Sequence, residues 1–207
     1  RGSWQLAEAC DEGAICDDDQ LICIESPACV LPTMVNAAVD HSVLLKSDGT
    51  VWAWGLNSHG ALGVAPGDLG SSSSPVQVPG MTGIKQVAAS YKSTLALAQD
   101  GTVWGVGYNE AGKLGDNASL PKSSAVQVKN SSGDGVLEGI ALISSHHRHT
   151  LAVDENGGVW AWGRNTEGQV GDGTTVTSRP LPRQVVGAGG SGLLTGVSKV
   201  AAGFDFS

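Results

Sequence analysis

Short apolar runs separated by tight polar turns recur three times in the same order along this chain. Each copy pairs two runs, Val43–Leu45 with Val51–Trp54, Leu95–Leu97 with Val103–Val106, and Leu151–Val153 with Val159–Trp162. The dipeptides Asp48-Gly49, Asp100-Gly101 and Asn156-Gly157 lie between them. Such dipeptides predict hairpins, on the expectation that both central residues take positive φ. Within the second run the period is two: Trp52 and Trp54 share one face, and Val51, Ala53 and Gly55 the other. A bulky face opposite a small one predicts stacked sheets, with the large side chains of one filling the space over the small face of the next.

The leading tryptophans Trp52, Trp104 and Trp160 are 52 and 56 residues apart, long enough for a four-stranded unit and too long for one hairpin. The remaining strands are expected at Pro75–Val78 and Ile84–Ala89, at Ala125–Val128 and Ile140–Ile143, and at Pro182–Val186 and Val197–Ala202. Serine- and glycine-rich stretches such as 67–74 and 187–192 read as surface loops. The fold class expected is all-β, a propeller of four-stranded blades. The copies are assigned to 36–89, 90–143 and 144–202, with the start of another at 203–207, after an N-terminal segment of residues 1–35.

Thirty glycines among 207 residues fit this picture, because glycine supplies the positive φ of tight turns. A formal charge of −8 argues against nucleic acid as a partner, since phosphate binding draws on lysine and arginine. No stretch reaches the roughly 18 apolar residues of a membrane-spanning helix, and Arg1–Trp4 lacks a signal peptide's apolar core. All four cysteines, Cys10, Cys16, Cys23 and Cys29, fall in the first segment. Their spacing lacks the close pairs of a zinc site and reads as two disulfides, with the pairing open, in an oxidising compartment.

The string D-G-T-V-W-A-W-G (Asp48–Gly55), followed by N-x-x-G-x-L-G (Asn57–Gly63) and closed by V-A-A-G-x-x-H-S, resembles the repeat of the regulator of chromosome condensation family from about residue 36 to 207. Four positions depart from it. Ser93 and Phe206 stand where that repeat has histidine, Val106 replaces the second tryptophan, and Gly158 replaces threonine. The resemblance implies a ring of about seven blades, and it makes Trp52, Trp54, Trp104, Trp160, Trp162, His41 and His149 the expected blade core.

Several residues carry chemistry in principle. On one strand His147 and His149 would face the same way, as two metal ligands do, but His149 falls on the repeat position of His41 and no third ligand is evident. Asp17–Asp19 lack the alternating order of a calcium loop. Neither G-x-S-x-G nor a phosphate loop occurs. No catalytic, cofactor or metal site is therefore expected. Asn117 and Asn130 open glycosylation sequons that matter only in a secretory pathway. The function expected is an extracellular or cell-surface module that binds protein or glycan through propeller loops. The alternatives are a structural subunit completed by other chains and a guanine-nucleotide exchange factor for a small GTPase, since fold alone does not choose among them.

Overall fold

The computed structural model describes residues 30–207 in full and, before them, the backbone of two short paired strands, β1 (Ala14–Cys16) and β2 (Cys23–Glu25). Cys10 and Cys29, the Asp17–Asp19 run, and the side chains of Cys16 and Cys23 lie outside the described residues. The chain divides into units at 1–31 and 32–207. The second begins with the first strand of a sheet, just ahead of the boundary expected at residue 36.

Three four-stranded antiparallel sheets build this second unit. The first holds β3 (Pro32–Ala37), β4 (His41–Lys46), β5 (Val51–Leu56) and β6 (Ser71–Gln77). The next holds β7 (Ile84–Ser90), β8 (Ser93–Ala98), β9 (Val103–Gly107) and β10 (Lys122–Gln127). The last holds β11 (Ile140–His146), β12 (His149–Asp154), β13 (Val159–Arg164) and β14 (Ser178–Gln184). The sheets are offset by one strand from the copies read in the sequence. Ile84–Ser90 closes the first copy but pairs with Ser93–Ala98, because a two-residue turn joins them while a loop separates Ile84 from β6. The segment 197–202, expected as a strand, is irregular. Its counterparts β7 and β11 pair with the strand that follows them, and the described residues hold no such partner for 197–202.

The hairpin turns are three-residue loops in which only the glycine takes the left-handed region, at φ 76 for Gly49, 82 for Gly101 and 77 for Gly157. The expectation of two positive-φ residues fails, and in the first two hairpins the acid before the glycine accepts bonds from the turn instead. Asp48 Oδ1 accepts from Thr50 N (2.9 Å) and Thr50 Oγ1 (2.6 Å), and Trp52 Nε1 donates to Thr50 Oγ1 at 3.0 Å. These bonds hold the Asp48 carboxyl below its ordinary pKa, as the same set does for Asp100. Where Gly158 removes the threonine, Asp154 takes over: its Oδ1 accepts from Gly158 N at 2.8 Å and its Oδ2 from Trp160 Nε1 at 2.9 Å.

Packing follows the period of two. In β8 all six residues are buried: Ala96 and Ala98 join the core shared with the first sheet, Leu95 and Leu97 the core shared with the third. The small face of the second hairpin strand is fully buried at Val51 and Ala53, while Trp52, Trp54, Trp104 and Trp160 are half-buried. Trp162 is wholly buried and lies against Gly115 of the preceding blade, the filling expected of the bulky face.

Hydrogen bonds tie blade to blade. His41 Nε2 meets Thr94 Oγ1 at 3.0 Å, and that hydroxyl donates to Ala61 O at 2.9 Å. The carbonyl takes the hydroxyl proton, so the imidazole must donate and its buried Nδ1 stands as an unpaired acceptor. The same trio recurs as His149, Ser207 and Gln169, with bonds of 3.0 and 2.9 Å. Between the second and third blades, where Ser93 replaces histidine, Thr150 Oγ1 donates to Lys113 O at 3.2 Å and Trp162 Nε1 donates to the same carbonyl at 2.8 Å. The strands nearest the axis are bridged by side chains: Gln86 exchanges two bonds with Ile143, and Asn36 Oδ1 accepts from Ala89 N.

Glycine closes each blade's upper end. At Gly107 (φ 101) an added Cβ would meet Lys92 O at 2.4 Å, where Tyr108 N must approach to donate to that oxygen at 2.8 Å. Gly107→Ala is expected to lower stability by about 3 kcal/mol. Gly83→Ala, also left-handed but facing open space, should cost only about 1 kcal/mol. Urea midpoints compare the two.

Burial, then Lys113, lowers the pKa of both His41 and His149 from 6.5 to about 4. The unfolded chain therefore binds more protons between pH 6.5 and 4, and stability should fall with pH through that window. The loss is on the order of 2 kcal/mol per histidine by pH 5 and 3 kcal/mol when complete. Chemical denaturation at pH 7.5 and 5 measures the drop, and replacing both histidines by glutamine should flatten it.

Candidate functional site: one face of the blades

In each sheet the first turn and the last loop emerge at the same end, because antiparallel strands reverse direction at every step. Turns 38–40, 91–92 and 147–148 and loops 57–70, 108–121 and 165–177 therefore crowd one face, opposite the Asp-Gly hairpins. Each loop is shaped by a buried asparagine, Asn57, Asn109 or Asn165. Asn57 Oδ1 accepts from Leu62 N at 2.9 Å, and its Nδ2 donates to Val64 O and Leu69 O. The N-x-x-G-x-L-G string is thus a loop-forming device.

Aromatic rings cross this face from blade to blade. His59 meets Tyr108 edge-on at 5.1 Å, Tyr108 meets Tyr91 at 5.3 Å, Tyr91 meets His147 at 5.2 Å, and His147 stacks on Phe204 at 3.8 Å. These separations suit attraction between aromatic quadrupoles. Phe204 is 54% exposed and the other four rings are half-buried. Tyr91, His147 and Phe204 also border a cavity of about 250 Å³ at the ends of the inner strands. Lys92 Nζ lies 5.1 Å from the Tyr91 ring, and the Arg148 guanidinium 6.0 Å from that of Tyr108.

Beneath the rings lies Lys113, wholly buried. Its amine donates to Ser90 Oγ and, at 2.6 Å, to His147 O. No carboxylate pairs with it among the described residues, and burial followed by the Arg148 charge pushes its pKa well below the ordinary lysine value. The bond to His147 O fastens a turn whose histidine has φ 30, a conformation that costs a non-glycine residue energy. Lys113 thereby sets where the His147 ring stands.

The histidine run does not form a ligand set. His146 ends β11, His147 sits in the turn and joins the rings, and His149 points into the blade junction. Among the described residues no group of three metal-ligating side chains converges. His41 and His149 are buried at blade junctions. The ring series escaped the sequence reading because Tyr91, Tyr108 and Phe204 fall in turns without periodicity.

Models of the regulator of chromosome condensation (RCC1) repeat match residues 48–97, 84–113 and 156–207. The chain is 33% identical over 153 residues to the ultraviolet-B receptor UVR8 of Arabidopsis thaliana, covering 73% of this chain and 33% of that protein. It is 30% identical over 159 residues to the human E3 ubiquitin-protein ligase HERC2, covering 70% of this chain and 3% of the relative. Prp20p of Saccharomyces cerevisiae, whose crystal structure was described with its binding to Gsp1p and histones, superposes with a TM-score of 0.65 at 20% identity, covering 87% of this chain and 43% of that one. The chain thus spans a third or less of these two curated relatives.

The relatives overturn the expectation of a secreted or cell-surface module: the matching repeat is that of a regulator of chromosome condensation and HERC2 is a ubiquitin ligase, and nothing among them points to secretion. The disulfide expectation loses the support of an oxidising compartment with it. The repeat motifs, the three sheets and the matching relatives agree: the chain belongs to the RCC1 repeat family.

Proposed function

We propose that this chain is a protein-docking propeller segment of an intracellular protein, and that its activity is guanine-nucleotide exchange on a small GTPase. The observation that carries this reading is the series of rings from His59 to Phe204, which spans all three blades on one face. Aromatic side chains with cations beside them are the residues that dominate protein interfaces. Nucleotide exchange breaks no covalent bond: it proceeds by docking on the GTPase and favouring its nucleotide-free state. A rigid face of rings suffices for that, with neither nucleophile nor metal. The likeness to Prp20p, whose binding to Gsp1p is described, supports the choice of a small GTPase.

The test is release of fluorescent GDP from Gsp1p as the protein is added. Acceleration is expected, and Tyr91→Ala with Tyr108→Ala should reduce it roughly 10- to 100-fold through weaker docking, with an unchanged circular dichroism spectrum. Release no faster than in buffer would remove exchange. Full activity in the double variant would remove the face.

A further inference from the structure

The junction of the second and third blades opens on the same face into a polar cavity of about 400 Å³. Its lining brings together Arg148, Arg164, Ser119, Thr166, Thr177 and Ser178, with Glu110 at one side. We propose that it is an oxyanion site, which receives a phosphoryl or carboxylate group carried by a partner protein's side chain.

The repeat does not demand these arginines. Arg148 precedes the histidine position, where the other blades carry Asp40 and Lys92. Arg164 follows the closing glycine, where they carry Leu56 and Tyr108. Only the third blade has a guanidinium at both positions, and the fold joins them directly: Arg164 N donates to Arg148 O at 2.9 Å. The backbone bond sets the two residues side by side at the cavity, and the planar forks of their guanidiniums match carboxylate and phosphate oxygens.

Their donors are largely unspent. Arg148 Nε is buried with no hydrogen-bond partner among the described residues, a costly state for a charged donor. Arg164 Nε donates to Thr166 Oγ1 at 2.8 Å, which orients the group. The charge contacts present are loose: Arg148 Nη1 lies 3.3 Å from Glu110 Oε2, whose side chain is 58% exposed, and Arg164 Nη1 lies 3.9 Å from Asp205 Oδ1. Solvated pairs of this kind contribute about 0–1 kcal/mol, so an entering dianion displaces them. The surrounding hydroxyls supply neutral donors. The chain's charge of −8 does not bar an anion, because charges beyond a Debye length of about 8 Å are screened at physiological salt.

That the anion belongs to a partner protein rests on the docking reading, whereas oxyanion binding itself does not. The experiment is an NMR titration of the 15N-labelled protein, following arginine Nε–Hε signals, with inorganic phosphate, N-acetylphosphoserine amide and N-acetylglutamate amide as probes. Saturable shifts of the Arg148 and Arg164 signals are expected. Affinity should fall at least tenfold in each of Arg148→Gln and Arg164→Gln, read on the remaining arginine, and rise two- to fivefold in Glu110→Gln, which removes the competing carboxylate. Response to phosphoserine alone assigns a phosphoryl occupant, and response to the glutamate probe admits a carboxylate. Absence of saturable shifts with all three probes, or affinities untouched by every substitution, would overturn the site. Loss of GDP release in the tyrosine variants alongside such a null titration would leave the docking reading standing and remove this one alone.

Discussion

Everything on the functional face depends on how one blade is fastened to the next. A sheet in this molecule is buried on both sides only when it has neighbours, as the middle sheet shows along β8. Hydrophobic contact between sheets is non-directional and leaves them free to slide. The bond from hydroxyl to loop carbonyl, Thr94 to Ala61, Thr150 to Lys113 and Ser207 to Gln169, supplies the missing direction. It joins a strand (Thr94, Thr150) or, at Ser207, the segment after the third sheet to the glycine-bounded loop of the preceding blade. The imidazole of His41 or His149 completes the junction by donating to that hydroxyl from a buried, neutral ring.

The middle junction shows how the scheme absorbs a change. Ser93 cannot reach the hydroxyl as a histidine does, and the residue after the loop's first glycine is a lysine where the other blades carry Ala61 and Gln169. The Lys113 amine bonds Ser90 of its own blade and crosses the junction to the carbonyl of His147. A buried amine thus fastens the third blade's turn, and the indole of Trp162 adds a donor on the lysine carbonyl. The departures from the repeat at Ser93 and Gly158 are each met by another polar group. Those substitutions read as local defects in the sequence are rerouted hydrogen bonds in the structure.

Much of the fold was legible because the repeat's glycines, turn dipeptides and alternating runs encode short-range geometry. The strands β4, β5, β8, β9, β12 and β13 follow from those signals directly. The strand grouping did not: Ile84–Ser90 lies near β6 in sequence, yet a two-residue turn commits it to the following sheet. The ring series was invisible for a related reason. Tyr91, Tyr108, His147 and Phe204 are far apart along the chain and sit in turns, and pairing within the second sheet (Tyr91 with Tyr108) and stacking of blades (Tyr91 with His147) bring their rings within about 5 Å of each other. The expectation of an oxidising compartment rested on the count of four clustered cysteines, and the matching repeat family and relatives give it no support.

What the sequence determined by itself was local: where the chain turns, which residues share a strand face, and that one unit repeats with histidine, glycine and asparagine at fixed places. Those features depend on backbone sterics and on contacts between residues a few positions apart, so a one-dimensional pattern contains them. What only the tertiary structure decided was which copies meet and what the meeting exposes: the buried amine under the His147 turn, the rings crossing the blades, and the two arginines brought to one cavity. These arise from surfaces that come together after the sheets stack, where small shifts in packing set side-chain positions and no spacing rule along the chain records the outcome.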